Sequence, residues 1–372
     1  MQIKRQQAKM RIILINVFYK VSFMTTTTTT ALKLFTLFSL LFIFSACQQA
    51  DTEQEVNLYS ARKEALIKPL LDSFTKETGI KVNIISAKAD ALLKRIQSEG
   101  KNSPADVLLT TDAGRLHRAK KADVLTSIDS ALLDQRIPTQ YRDKDATWFG
   151  MSVRLRPIFV TDSINDEQIS SYEDLTKPEF KGQICVRSSS NIYNQSLVAS
   201  MIEAKGEQAT AEWASSFVEN FARQPQGGDR DQIRAAAAGQ CSIAVANTYY
   251  AAQMLAGPED STDHQAAKKL RIIWPNQGDR GVHANISGAG VIKTAPNPEN
   301  AVKLIEFLSS DTAQEIYADV NYEYPIVSNA KSISNNKILS SWGEFKADTI
   351  DLGILGSNNP AALKLMDQAG WK

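Results

Sequence analysis

Residues 56–86 read VNLYSARKEALIKPLLDSFTKETGIKVNIIS, and this stretch decides the fold. Residues 56–59 are a short strand-like run. Residues 63–78 then switch to a helical period, with Leu66, Ile67, Leu70, Leu71 and Phe74 as the apolar stripe. Gly79 stands where that helix must stop, and residues 81–86 return to a strand pattern. A strand, a helix and a second strand within about thirty residues form a βαβ unit, which lays two parallel strands side by side.

The pattern continues outward. Residues 89–98 read as a helix closed by Gly100, residues 106–109 as a strand, and Asp112 as the N-cap of a helix carrying Leu116. This alternation predicts an α/β fold. After Trp148, residues 151–160 read as one long strand on which Arg154 and Arg156 project to the same side. A second α/β set follows: strands at 183–187 and 242–246, and helices at 193–204, 213–221 and 231–238, the last stopped by Gly239. The glycine-containing ANISGAGVIK, residues 284–293, reads as a crossing back to the first half, and 298–309 as an amphipathic helix. The expected architecture has two lobes, each a mostly parallel sheet flanked by helices, joined by two crossing strands. Lobe I takes 55–152 and 285–340, lobe II takes 153–284, and a helical tail at 341–372 is left unassigned. No internal repeat of solenoid period is present.

The N-terminus carries an address. ALKLFTLFSLLFIFSAC, residues 31–47, has an apolar run too short to span a bilayer comfortably, and Ser45 and Ala46 precede Cys47. It reads as a secretory signal, with an ordinary buried helix as the alternative. FSAC, residues 44–47, resembles the bacterial lipobox, whose cysteine is lipidated and becomes the new N-terminus. Residues 1–46 are therefore read as a signal with an overlong start, Met24 being the expected true initiator, and 47–54 as a lipidated linker. Removing six basic residues from the total of 42 leaves 36 against 41 acidic ones, a net charge of −5. No basic patch interleaved with aromatics appears, so nothing favours nucleic acid. About 320 residues suffice for two lobes with their own cores. Cys185 and Cys241 remain, and in an oxidising compartment they either pair or persist as two buried thiols.

Six segments in order carry a specific resemblance: LYSARKEALIKPLLDSFTKETGIKVN, SPADVLLTTDAGRL, CVRSSSNIYNQSLVAS, PQGGDRDQIRAAAAGQC, VANTYY and NISGAGV. Together they resemble the ferric-ion-binding periplasmic proteins of ABC transporters, which have the type II periplasmic-binding fold. The resemblance implies an Fe(III) cargo, a monomer, a permease of an iron(III) importer as partner, and a membrane association only through lipid at Cys47. Its site implies Tyr193, Tyr249 and Tyr250 as metal ligands. Some members carry a histidine, or a histidine and a tyrosine, where this chain has Arg62, Lys63 and Glu64. Others place a carboxylate near Thr111 and Asp112. The first departure favours an anion such as carbonate or bicarbonate over a protein ligand from lobe I.

The residue chemistry supports that set. Fe(III) is hard and highly charged and prefers anionic oxygen. A phenol with a pKa near 10 binds it once the cation displaces the proton. Adjacent residues on a strand face opposite ways, so Tyr249 and Tyr250 converge only where a strand gives way to a helix. Ser188, Ser189, Ser190 and Asn191 are N-cap types, which puts Tyr193 in a first helical turn. Arg62 and Arg154 are candidates for holding a planar anion through their guanidinium forks. Asp112 and Thr111 are further candidates at or around the metal, with N-capping the competing role for Asp112. His117, His264 and His283 show no metal spacing, and His117 is expected to face solvent. No nucleophile-base constellation stands out. An enzyme using a tyrosine nucleophile and a same-fold binder of an organic cation, an oxyanion or a ferric chelate are the rival readings.

Overall fold

The computed structural model describes residues 54–327 and 335–372. The signal segment and Cys47 lie outside the described residues. The first strands and helices follow the sequence closely: β1 (Glu55–Ser60), α1 (Glu64–Thr78), β2 (Lys81–Ser86), α2 (Ala89–Glu99), β3 (Val107–Thr111) and α3 (Ala113–Lys121). α1 buries Ile67, Leu70, Leu71 and Phe74 and ends where Gly79, at φ 74°, donates its N–H to Thr75 O. Burying side chains of this size contributes about 1.5–3 kcal/mol each.

Next come β4 (Leu125–Thr126), α4 (Ala131–Arg136), β5 (Phe149–Leu155) and β6 (Ile158–Val160). The single long strand expected over 151–160 is thus two strands. Pro157 has no N–H to give a ladder and holds the residue before it extended, so the chain breaks at Arg156 and Pro157 and passes from one sheet to the other. The next group is β7 (Ile184–Cys185), α5 (Ile192–Lys205), α6 (Glu207–Glu219), α7 (Asp229–Ala237), β8 (Ile243–Val245), α8 (Thr248–Leu255), α9 (Thr262–Lys268) and β9 (Arg271–Ile273). β10 (Ala284–Ile292) returns to the first sheet and is followed by α10 (Pro298–Leu308), α11 (Asp311–Asn321), β11 (Tyr324–Pro325), α12 (Lys337–Ser341), α13 (Gly353–Ser357) and α14 (Asn359–Gln368).

The larger sheet runs β11-β5-β10-β3-β1-β2, with β4 also on β10, and the smaller runs β7-β8-β6-β9. The βα units do pair in parallel, β1 with β2 and β3, and β7 with β8. The strands at the crossings do not: β10 lies antiparallel to β3 and β5, and β6 antiparallel to β8 and β9. Both sheets are therefore mixed, because a chain that crosses and comes back must run both ways. The glycines of β10 allow close packing there, since a Cβ on Gly290 would lie 2.5 Å from Thr147 O and one on Gly288 2.6 Å from Leu116 Cδ1.

The tail seats mainly beside the smaller sheet, where α14 packs on α5 and α6. Trp371 donates from Nε1 to Arg187 O at 2.9 Å and packs its ring among Trp213, Phe217 and Phe221. α13 packs on both α3 and α5, so it spans from one sheet's helices to the other's. His117 is consequently half-buried rather than solvent-facing: a Cβ on Gly356 of α13 would lie 2.2 Å from His117 Cβ. Cys185 and Cys241 are joined as a disulfide across 56 residues, which ties β7 to the segment entering β8. Closing a loop of that length stabilises the fold chiefly through the unfolded chain.

The two crossings meet where Arg156 N donates to His283 O at 3.1 Å. His283 is buried, and burial, with the charges of Arg156 and Arg280, draws its imidazole down to about 3. Below 6.5 the unfolded chain takes up a proton that the folded imidazole refuses, so stability falls as pH drops from 6.5 toward 3. Between pH 6.5 and about 5 the loss amounts to about 2 kcal/mol. Carboxylates such as Glu173, drawn down to about 2, come into play only at lower pH. Thermal melts across this window should show a shallower decline for His283→Gln than for the wild type, and equal slopes would refute the assignment.

Candidate metal centre

Three helix N-termini beside the smaller sheet converge on one place. β8 ends at Val245, Asn247 is the N-cap residue of α8, and Tyr249 and Tyr250 lie in that helix's first turn. The strand-to-helix switch is what lets two adjacent tyrosines face one point, and their ring centroids lie 4.2 Å apart. Asn191 is the N-cap residue of α5, which puts Tyr193 in its first turn, and Tyr249 OH donates to Tyr193 OH at 3.5 Å. α7 starts at Asp229 beside them. The exposed amides of a first turn favour negative charge on nearby oxygens.

The phenols line a cavity of about 600 Å³ that also receives Arg62, Thr111, Arg154 and Glu323 from the larger sheet's side. Arg154 lies over the rings of Tyr193 and Tyr249, at 5.0 and 4.3 Å from their centroids, and its Nη2 donates to Tyr193 OH at 3.4 Å. Burial pushes the Tyr193 phenol up, but the Arg154 charge, hydrogen bonds with Tyr249 and Thr111, and the Arg115 charge outweigh it and bring it down to about 8. Burial wins at the other two: Tyr249 is held well above the ordinary phenol value, and Tyr250 is pushed up to about 12 with the help of Tyr193 and Asp229. One phenol is thus poised to ionise first, and a bound cation must draw the protons from its neighbours.

Arg62 and Arg154 do not wait with empty forks. Arg62 Nη1 donates to Glu323 Oε1 at 2.8 Å and to Ser287 Oγ, Arg154 Nε lies 3.4 Å from Glu323 Oε1, and Ser152 Oγ also donates to Glu323. An internal carboxylate therefore stands where an external anion was expected. Burial raises the Glu323 carboxyl, but the Arg62 and Arg154 charges and the Ser152 hydrogen bond more than offset that and keep it below the ordinary range.

Thr111 is at the cavity, accepting from Arg115 Nη1 at 3.0 Å on its Oγ1. Asp112 is not. Its oxygens accept from Gly114 N at 2.9 Å, from Ser196 Oγ at 2.8 and 2.9 Å and from Asn285 Nδ2 at 2.9 Å, and its backbone sits at φ 82°. It is the N-cap of α3 and a tie across to α5, and it does not line the cavity. Tyr59 donates to Glu99 and stays in the strand core. Among the described residues no group of three or more His, Cys, Asp and Glu could hold a metal ion.

Sequence reasoning missed Glu323, Arg187 and the work of Asp229. Arg187 lies over the Tyr193 ring at 5.7 Å and pairs with Asp229 at 3.6 Å. Asp231 accepts from Gly228 N at the start of α7. Asp229 is instead buried and accepts from Asn247 N at 3.2 Å. The signal available was the run PQGGDRDQ, whose glycines let a loop bring Asp229 under the tyrosine helix.

Two sheets joined by crossing strands, with a polar cavity walled from both sides, define a two-lobed solute-binding protein of the type II periplasmic class. The chain belongs to the bacterial extracellular solute-binding protein family, whose model matches residues 102–342. It is 47% identical over 340 residues to "Iron uptake protein A1" of Synechocystis sp. (strain ATCC 27184 / PCC 6803 / Kazusa), covering 89% of this chain and 93% of the relative. It is 30% identical over 336 residues to the "Fe(3+)-binding periplasmic protein" of Serratia marcescens, covering 89% of this chain and 95% of the relative. Among solved structures, a Trichodesmium protein in complex with iron and citrate ligands matches with a TM-score of 0.82 at 47% identity, covering 86% of this chain and 100% of that one. Proteins of this family are binding components of transport systems, not enzymes.

Proposed function

We propose that this protein captures Fe(III) through phenolates of Tyr193, Tyr249 and Tyr250 and delivers it to the permease of an ABC importer. The observation that carries the reading is the meeting of three phenols at one cavity beside Arg154, with one of them brought down to about 8. Three phenolates neutralise a trivalent cation, and hard oxygen donors suit it. The names of the relatives, iron uptake and Fe(3+)-binding proteins, support the same cargo. In this reading the protein works in the periplasm or cell envelope, held by lipid at Cys47, and the lobes close on the ion by a hinge.

The cavity lining holds eight basic side chains and four acidic ones, so a bare cation is not drawn to it by charge alone. An anion should therefore accompany the iron, either carbonate or bicarbonate as a small co-ligand or, in a second reading, a hydroxycarboxylate chelate entering whole. The Trichodesmium complex with iron and citrate favours giving the second reading an arm of the test.

The test is a ferric titration of the purified protein, followed by visible absorption, with bicarbonate, with citrate and with neither. A phenolate-to-iron charge-transfer band should appear and bleach on acidification or reduction. A band that needs bicarbonate supports the small co-ligand, and one that needs citrate supports the chelate. No band under any condition sinks the phenolate reading.

A further inference from the structure

Arg156 sits at the break between β5 and β6 and is 1% exposed, yet it lies outside the cavity. Its backbone is fixed on both sides, N donating to His283 O at 3.1 Å and O accepting from Tyr172 OH at 2.6 Å. Its guanidinium then reaches all three helix starts that build the site. Nη2 donates to Asn194 Oδ1 at 2.6 Å, one residue beyond Tyr193. Nη1 donates to Asn247 Oδ1 at 2.9 Å, two residues before Tyr249, and to Asp229 Oδ2 at 3.4 Å at the head of α7. Nη2 also reaches Val245 O, the last residue of β8, at 3.3 Å.

We infer that Arg156 is a positioning residue that sets the register of the α5, α7 and α8 starts, and through them the mutual geometry of the three phenols. The inference rests on the ferric reading of the same cavity. The planar fork explains the residue type: it offers several donors at fixed angles in one plane, whereas an ammonium carries the same charge on a point and cannot span three elements. Asp229 offsets the buried charge, and the two asparagines with Val245 O take up the Nη donors, while Nε has no partner among the described residues. The partners relay the register further, since Asn194 Nδ2 donates to Arg187 O at 2.8 Å and Asn247 O accepts from Tyr250 N at 3.2 Å.

Arg156→Lys separates geometry from charge. The expected result is a ferric affinity about tenfold or more below the wild type, the scale seen when a partner of a metal ligand is lost, together with a moved charge-transfer maximum per bound iron. Hydrogen exchange of the iron-free variant should quicken at residues 192–195 and 248–251 together and stay unchanged in α14. Wild-type spectrum and wild-type exchange in Arg156→Lys would overturn the inference. If the wild type gives no band, the ferric reading fails while the exchange measurement still decides on the clamp. If Arg156→Lys does not fold, Asn194→Ala and Asn247→Ala carry the test: the first should loosen the α5 start and the second the α8 start, and no change in either overturns it.

Discussion

Tyr249→Phe is expected to lower ferric affinity by more than about a hundredfold, beyond the range for losing a mere partner of a metal ligand. Tyr249 is the most enclosed of the three phenols, and it touches Tyr193 OH, the Tyr250 ring and the Arg154 guanidinium. Phe keeps the ring and its packing but removes the oxygen, so the melting temperature should hardly fall while the visible band fades or shifts. Tyr193→Phe and Tyr250→Phe should behave alike. Tyr59→Phe, whose hydroxyl serves Glu99 away from the cavity, should leave the band untouched. The same chemistry fixes a pH dependence. Below about 8 the Tyr193 phenol is protonated before iron arrives, so binding must release its proton. Above that value the proton is already gone. Apparent affinity should therefore rise with pH, and proton release per iron should fall by one across that value, as read by paired titrations in weakly buffered solution. A Tyr249→Phe protein that keeps the full band and affinity would end the phenolate reading.

The parts of this molecule that were legible in the sequence are those in which the signal is local. The apolar stripe of α1, the Gly79 stop and the Asp112 cap each sit within one helical turn of the structure they specify. The tyrosine convergence was legible because a strand ending at Val245 and a helix starting at Thr248 are written side by side. Arg156 and Pro157 also carried their message locally, since a residue without an N–H seldom continues a ladder, but the apolar run around them hid it. The rest was out of reach for a physical reason. Glu323 meets Arg62 across 261 residues, and nothing near either position announces the other. α5 buries Asn194, Gln195 and Ser196 along with its apolar residues, so it presents no polar face from which Ser196's bond to Asp112 could be read.

Glu323→Gln should destabilise the protein by about 3–5 kcal/mol, the usual consequence of removing one member of a buried ion pair. Arg62, Arg154 and Glu323 side chains are only 2%, 4% and 1% exposed, so water cannot replace the lost carboxylate. The amide keeps the shape and can still meet Ser152, but it leaves two guanidiniums beside one neutral group. At about 2 °C per kcal/mol for a chain of this size, the melting temperature should drop by roughly 6–10 °C. The variant also asks what the arginines are for. With the internal carboxylate gone, a planar anion can take its place between the two forks, and binding to the folded state alone returns stability in proportion to its concentration. Bicarbonate should therefore raise the melting temperature of Glu323→Gln far more than that of the wild type, where Glu323 already fills the forks. A variant that melts with the wild type shows that the pair contributes little net stability. One that melts low and ignores bicarbonate shows that these arginines serve Glu323 alone, and the anion that accompanies the iron must then be held elsewhere in the cavity.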